Sequence, residues 1–176
     1  MKVLLTEDEL RIGVSKLAQQ INETYGKSPV TIIGIMTGSI MLLADVVRQL
    51  EMPLRVGVIQ TSSYKDGMTR GTLRINSSML PDIRDRDVLL VDDIFDTGHT
   101  LNEVIAKIRE FEPQGIKSAV LLTKQGRCEV DMQPDFAMFD IPDEFVVGYG
   151  LDYNDEYRNL PFVGVLEDSD LNASIS

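Results

Sequence analysis

Residues 92–100, with the sequence Asp-Asp-Ile-Phe-Asp-Thr-Gly-His-Thr, combine the residue types best suited to chemistry. The carboxylates of Asp92, Asp93 and Asp96 stand beside a Thr-Gly-His-Thr sequence that leads into a predicted helix. Unpaired N–H groups and the positive end of the helix dipole meet at such a helix start and favour a bound phosphate. Carboxylates next to a phosphate are suited to binding hydroxyls, holding Mg²⁺ or accepting a proton. The sequence therefore predicts an anion site formed by Thr97, Gly98, His99 and Thr100, with acidic groups beside it.

Other interpretations use parts of the same segment. Asp96-Thr97-Gly98 matches the aspartic-protease triplet, but those enzymes are all-β and need a second carboxylate from another copy. Asp92 and Asp93 with Lys124 resemble the acidic pair and lysine of a signalling receiver domain, which places that pair at its first strand. In a purely structural interpretation, the acidic pair ends a strand and Thr97 caps a helix. The complete string after an apolar strand favours the anion site over all three.

Alternating helices and strands are predicted on both sides of this segment. The spacing of Thr6 and Glu9 is that of a capping box, and apolar residues then recur at helical steps as far as Tyr25. Short runs rich in β-branched residues predict strands at residues 30–35, 54–61, 88–91, 117–123 and 145–149. Apolar positions at helical spacing predict further helices at residues 40–50 and 101–111. The pattern indicates an α/β fold, with a mostly parallel twisted sheet flanked by helices and ligands at the carboxyl ends of its strands.

Composition and charge limit the classes of function. The 176 residues fit one domain, with a polar tail after Glu167, and the net charge of −11 argues against a surface that binds nucleic acid. The single Cys128 cannot form an intramolecular disulfide, which favours a reducing compartment. We find neither a signal peptide pattern nor an apolar run long enough to span a bilayer. We therefore expect a cytoplasmic protein that binds neither membrane nor nucleic acid.

Residues 88–101 resemble the phosphoribosyl-pyrophosphate (PRPP) signature of the type I phosphoribosyltransferase family. Residues 34–39, Gly-Ile-Met-Thr-Gly-Ser, resemble the pyrophosphate loop of that family, and Ser63-Tyr64 lies in a segment, about residues 62–75, that resembles its mobile loop. Phe-Val-Val-Gly-Tyr-Gly-Leu-Asp-Tyr at residues 145–153, followed by Arg-Asn-Leu-Pro at 158–161, resembles the purine-binding hood of the hypoxanthine(-guanine) branch. The resemblance runs in order from about residue 30 to residue 166. It implies a type I phosphoribosyltransferase fold over residues 1–176, with a small hood formed mainly by residues 124–166.

The activity implied by the resemblance is transfer of a phosphoribosyl group from PRPP to a 6-oxopurine base, which yields a nucleoside monophosphate such as IMP and pyrophosphate. Mg²⁺ would be the cofactor, with Asp92, Asp93 and Asp152 near it, and the family also implies a homodimer or homotetramer. The 5′-phosphate would bind at the four residues of the anion site, and Asp92 and Asp93 would hold the ribose hydroxyls. Asp96 would be the general base. Pyrophosphate would contact Thr37, Gly38, Ser39 and Arg158, and the purine would contact Lys124, Phe145, Val146 and Asp152.

The sequence departs from the family pattern at two positions of the predicted site. Thr37 stands where relatives often have Lys or Arg, and Asp92 replaces the commoner Glu. His99, the single histidine, occupies a phosphate-loop position at which backbone contact, with the imidazole pointing outward, is the favoured use. The alternative function is a regulator on the same fold that senses PRPP or a nucleotide without turnover. The preference among hypoxanthine, guanine and xanthine is left open.

Overall fold

The computed structural model describes residues 1–63, 73–167 and 170. Its elements, in chain order, are β1 Lys2–Leu5, α1 Glu7–Tyr25, β2 Val30–Met36, α2 Ile40–Val47, β3 Leu54–Ser63, β4 Leu73–Asn76, β5 Asp87–Phe95, α3 His99–Arg109, β6 Gly115–Lys124, β7 Phe136–Ile141, β8 Val146–Val147 and β9 Val163–Val165. No helix among these residues is both long and apolar enough to cross a membrane.

The main sheet has six strands in the order β4-β3-β2-β5-β6-β7. The pairs β2–β3, β2–β5, β5–β6 and β6–β7 are parallel, whereas β4 runs antiparallel to β3 at one edge. This order places the carboxyl end of β5 between those of β2 and β6. The predicted α/β class with a mostly parallel sheet is confirmed.

Helices cover both faces of this sheet because successive strand residues point to opposite sides. Leu89 and Val91 pack with apolar residues of α1 and α2 on one face. Val88 and Leu90 pack with residues of α3 on the other face. The central strands are therefore apolar at consecutive positions, which explains why their sequences lack alternation.

The predicted capping box at the start of α1 is confirmed. The Glu9 carboxylate accepts a hydrogen bond from the Thr6 amide at 2.8 Å, and the Glu9 amide donates to the Thr6 hydroxyl at 3.3 Å. The helix ends at Gly26, whose φ of 57° favours a residue without a Cβ.

A second, three-stranded antiparallel sheet has the order β1-β9-β8. The predicted strand at residues 145–149 is wrong in extent and place, since only Val146 and Val147 are in a strand and they belong to this small sheet. The last parallel strand is instead β7, an edge strand with mixed burial and no continuous apolar run to predict it. The N-terminal strand β1 was also missed, so the small sheet joins both ends of the described chain.

The segment predicted as a mobile loop lies largely outside the described residues, and Tyr64 is among those not described. At its start, Ser63 is the last residue of β3 and pairs with Leu73 of β4. The described residues at both ends of the segment therefore belong to two antiparallel strands.

Candidate active site

A cavity of about 310 Å³ opens at the carboxyl ends of β2 and β5. It forms there because the two strands are neighbours, so the turns that follow them lie side by side. Its lining includes most of the predicted phosphate, pyrophosphate and metal residues: Thr37, Gly38, Asp92, Asp93, Asp96, Thr97, Gly98, Thr100, Asp152 and Arg158. The predicted residues Ser39, His99, Lys124, Phe145 and Val146 are not part of this lining.

Asp92 and Asp93 belong to β5, which continues to Phe95, so the strand is longer than the predicted residues 88–91. Asp92 is 7% exposed, and its Oδ1 accepts a hydrogen bond from the Asp93 amide at 3.1 Å. Burial raises the pKa of Asp92 well above its ordinary value, and the neighbouring charge of Asp93 adds to the shift. Burial also raises the pKa of Asp93, although hydrogen bonds from Asp92 and the Ile94 amide and the charge of Arg158 oppose it. The pair is costly to ionise unless a cation or hydroxyl group comes near it.

The turn after β2 comes extremely close to Asp93. A Cβ at Gly38 would overlap Oδ2 of Asp93, so a side chain at this position requires the carboxylate to move. The Met36–Thr37 peptide bond is cis. Ser39 is fully buried and its hydroxyl donates to the carbonyl of Ile35 at 2.7 Å, so this side chain holds the turn and does not face the cavity.

The predicted anion site is a helix start. Gly98 precedes α3 with φ 85°, a left-handed conformation that glycine adopts without strain. Thr97, Gly98 and Thr100 line the cavity, whereas Nε2 of His99 lies 2.9 Å from Oε2 of Glu129. The imidazole therefore pairs with a side chain outside the cavity lining, and the predicted use of the His99 backbone for phosphate stays a prediction.

Asp96 lies in a cluster of four charged side chains beside the cavity. Nε of Arg127 donates to Oδ1 of Asp96 at 2.9 Å, and Nζ of Lys124 lies 3.6 Å from Oδ2. Oδ1 of Asp143 lies 3.6 Å from both cations. Lys124 is close to Asp96 because Phe95 and Thr123 are partners in the parallel pair β5–β6. Arg127 and Asp143 were missed by the sequence analysis, since no spacing relates them to Asp96.

Residues 145–158 contribute Asp152 and Arg158 to the cavity lining, whereas Phe145 and Val146 of the same segment lie outside it. Phe145 is 56% exposed and meets the Tyr153 ring edge to face, with the ring centroids 5.7 Å apart. Val146 is buried and pairs with Val165. Nη2 of Arg158 lies 2.8 Å from Oδ1 of Asp152, and its Nη1 donates to the carbonyl of Gly150 at 2.7 Å.

The backbone of Gly150 also reaches the turn after β2. A Cβ at Gly150, where φ is 101°, would overlap the carbonyl oxygen of Gly38. The loop from the small sheet therefore closes against the main sheet backbone to backbone, with Arg158 and Asp152 at the junction.

The family model for the phosphoribosyl transferase domain matches residues 3–154, which is most of the chain. The protein belongs to the phosphoribosyl transferase family. The match includes the turn after β2, the acidic strand end and the helix start, and so covers the elements that form the cavity.

Relatives within this family support the assignment over the full length. The chain is 41% identical over 167 residues to a hypoxanthine phosphoribosyltransferase of Salmonella typhimurium, with 93% of this chain and 94% of the relative covered. It is 40% identical over 170 residues to a hypoxanthine-guanine phosphoribosyltransferase of Aquifex aeolicus, with 96% of each covered.

Solved structures show the same architecture. The hypoxanthine-guanine phosphoribosyltransferase of Bacillus anthracis matches with a TM-score of 0.90 at 32% identity, over 95% of this chain and 99% of that one. A mutant hypoxanthine phosphoribosyltransferase of Trypanosoma cruzi, complexed with the product IMP, matches with a TM-score of 0.89 at 34% identity, over 100% of this chain and 96% of that one.

The donor set of this phosphoribosyl transferase site suits Mg²⁺ only in part. Asp92, Asp93 and Asp152 offer carboxylate oxygens to one cavity, and oxygen is the ligand atom that Mg²⁺ prefers. Within the described residues, however, no three His, Cys, Asp or Glu side chains are grouped closely enough to bind a metal by themselves. The residues fit a metal that takes part of its coordination from substrate oxygens and water.

Proposed function

We propose that the protein transfers the 5-phosphoribosyl group of PRPP to a 6-oxopurine, with hypoxanthine, guanine and xanthine as the candidates, and forms a nucleoside monophosphate (IMP from hypoxanthine) and pyrophosphate for purine salvage. The observation that carries this proposal is a cavity that is lined both by a helix start suited to a phosphate and by the buried carboxylate of Asp92. Relatives about 40% identical over nearly the whole chain are named for the same chemistry. A regulator that binds PRPP without turnover is not favoured, because these relatives are named as transferases.

The two phosphate groups of PRPP would bind at the turns after β2 and β5. The 5′-phosphate would accept hydrogen bonds from the amides and hydroxyls of residues 97–100 at the start of α3. The pyrophosphate would lie at Thr37 and Gly38 and near Arg158. Thr37 stands where relatives often have Lys or Arg, so this position offers the pyrophosphate no cationic side chain. Ser39, with its hydroxyl bonded to Ile35, would contribute its backbone.

Asp92, Asp93 and Asp152 are the residues that would hold Mg²⁺ together with the ribose and pyrophosphate oxygens. Bound Mg²⁺ would neutralise negative charge that develops on the leaving pyrophosphate. Arg158 would leave its ion pair with Asp152 or share it, since the two groups lie 2.8 Å apart without ligand. Because burial raises the pKa values of Asp92 and Asp93, it disfavours the ionised forms of both carboxyl groups. A cation or ribose hydroxyls bound at the pair would stabilise these ionised forms.

The purine would lie between Phe145 and the charged cluster at Asp96. Phe145 exposes more than half of its surface, which leaves a ring face available for stacking. Lys124, 11% exposed, would donate to the purine O6, and the main chain at Val146 would meet the base edge. A donor facing the amino group of adenine would be left unpaired, which is a physical basis for selecting 6-oxopurines.

As N9 of the purine bonds to C1 of the ribose, the bond between that carbon and the pyrophosphate oxygen would break and pyrophosphate would leave, while Asp96 would accept the proton from N7. Most of the barrier reduction would come from holding the two substrates in line and from stabilising charge on the sugar and pyrophosphate. The chain residues would therefore act mainly by position, with proton transfer a smaller contribution.

The test is an assay of nucleotide formation with PRPP, Mg²⁺ and each of hypoxanthine, guanine, xanthine and adenine. We expect IMP and pyrophosphate from hypoxanthine, no product from adenine, and loss of activity when the metal is chelated. PRPP binding without product from any 6-oxopurine would refute the proposal and support the regulator instead. A homodimer or homotetramer and a cytoplasmic location are also proposed, and light scattering after size exclusion tests the first.

A further inference from the structure

The connection between β6 and β7 covers the phosphate loop. We call residues 127–130 the clasp, and Arg127, Glu129 and Val130 of this segment contact residues 96–99. The amide of Glu129 donates to the carbonyl of Thr97 at 3.0 Å, and the Glu129 carboxylate pairs with His99. A side chain at Gly98 would collide with Val130, so the clasp packs directly on the turn. Arg127 completes the series through its hydrogen bond to Asp96.

The two oxygens of the Asp96 carboxylate face different cations. Oδ1 accepts a charge-assisted hydrogen bond from Nε of Arg127 at 2.9 Å, whereas Oδ2 lies 3.6 Å from Nζ of Lys124, beyond the usual hydrogen-bond distance. One oxygen is thus fixed in direction and the other is available to a ligand. Oδ1 of Asp143 lies 3.6 Å from Nε of Arg127 and from Nζ of Lys124, so its negative charge helps to keep both cations close to Asp96.

We propose that Arg127 is a positioning residue for the reaction, which acts by holding Oδ1 of Asp96 so that Oδ2 faces the purine proton. This inference rests on the proposed function and adds a residue to it. Its basis is the geometry of the clasp, since Arg127 reaches Asp96 from a segment that is itself anchored to the turn at Glu129 and Val130. Asp96 is about one-third exposed, and a free carboxylate there would rotate among several orientations.

Two substitutions separate the effect of the directed hydrogen bond of Arg127 from the effect of its positive charge. Arg127→Lys retains the positive charge but loses the planar Nε–H donor, while Arg127→Met removes both and keeps a side chain of similar length. Because Arg127 is 44% exposed, neither change disturbs the core. Arg84, an exposed arginine paired with Glu112, provides a matched control in Arg84→Met.

The experiment measures steady-state kinetics for these variants alone and combined with Asp96→Asn. We expect Arg127→Met to lower kcat about tenfold while the KM for PRPP stays within about twofold. Arg127→Lys should recover only part of the loss, and Arg84→Met should match the wild type. In the Asp96→Asn background, Arg127→Met should change kcat by less than about twofold, because both changes remove the same function.

Unchanged or increased kcat in Arg127→Met, or an equal loss in the Asp96→Asn background, would overturn the proposal. A readout independent of turnover is the NMR signal of the Arg127 Nε–H group, which should shift on Asp96→Asn and remain in place on Asp8→Asn. If the signal does not shift on Asp96→Asn, Arg127 does not hold Asp96 in place, and the proposal is rejected even if the wild-type chain forms no nucleotide. An inactive wild type with the expected shift would refute the proposed function, and with it the role of Arg127 in the reaction, and would leave only the finding that Arg127 orients Asp96.

Discussion

The two walls of the site are constructed in different ways. The sheet wall holds its carboxylates inside β5, where Asp92 is almost completely buried and bonded to the backbone. The opposite wall, residues 145–158, presents an exposed Phe145 and an ion pair between Asp152 and Arg158. Buried groups in a strand cannot change position without disturbing the core, whereas exposed groups in a loop can adapt to a ligand. The sheet wall therefore holds its carboxylates in fixed positions. The side chains of residues 145–158, which we call the hood wall, can adjust to a ligand.

The largest expected effect is at the sheet wall. Gly38→Ala places a methyl group against Oδ2 of Asp93 and forces the turn or the carboxylate to move. Since a displacement of about 1 Å can cost about a hundredfold in rate, we expect a loss of kcat/KM of at least that size. Steady-state kinetics tests this, and Gly115→Ala, at the start of β6, is the control for an added methyl group, since its φ is not positive and a Cβ there would meet only the flexible carboxylate of Asp87. Activity near that of the wild type would contradict the rigid view of this wall.

A smaller effect is expected at Asp96, between the two walls. Asp96→Asn keeps the shape but removes the proton acceptor, so kcat should fall roughly tenfold to a hundredfold with little change in the KM for PRPP. The matched control is Asp8→Asn, which changes an exposed aspartate on α1. An equal loss of PRPP affinity would show that Asp96 acts in binding.

For a substitution in the hood wall we expect weaker binding of the purine, with no change in PRPP binding or in stability. Phe145→Ala should raise the KM for hypoxanthine roughly tenfold through lost stacking and leave the KM for PRPP unchanged. Since Phe145 is 56% exposed, the melting temperature should stay the same. Phe111→Ala, another exposed phenylalanine, tests whether loss of any surface aromatic ring has the same effect. A fall in stability with Phe145→Ala would mean that this wall is also fixed.

The smallest expected effect concerns stability and pH. A carboxyl group whose pKa is raised in the folded protein binds its proton more tightly there than in the unfolded chain. The free energy of unfolding therefore falls as pH rises above about 4. Because the pKa of Asp92 is raised in this way, Asp92 lowers the free energy of unfolding at neutral pH. Asp92→Asn should therefore raise the melting temperature of the ligand-free protein at pH 7 by roughly 2–4 °C, or about 1 kcal/mol, and reduce its decline with pH.

Thermal unfolding at several pH values measures this effect. Asp152→Asn in the hood wall should show no such gain, because Asp152 loses its ion pair with Arg158 instead. An Asp92→Asn variant less stable than the wild type at pH 7 would contradict the assigned cause.

The sequence predicts the sheet wall much better than the hood wall. The capping box of α1, the apolar run before Asp92 and the glycine before α3 are local signals, and the elements at these places agree with the predictions. The strand β7 was not predicted because an edge strand of mixed burial has no clear periodicity. The cluster of Arg127 and Asp143 with Asp96 depends on which connections meet in space. No local pattern can reveal such contacts.

The contact between Gly150 and Gly38 acts as a mechanical stop. With no space for even one methyl group between the two backbones, the hood cannot approach the main sheet any further at this point. A small ligand therefore cannot be held more tightly by a closer approach of the two backbones at this contact. The separation of the hood and the main sheet at this one contact is thus set by main-chain atoms.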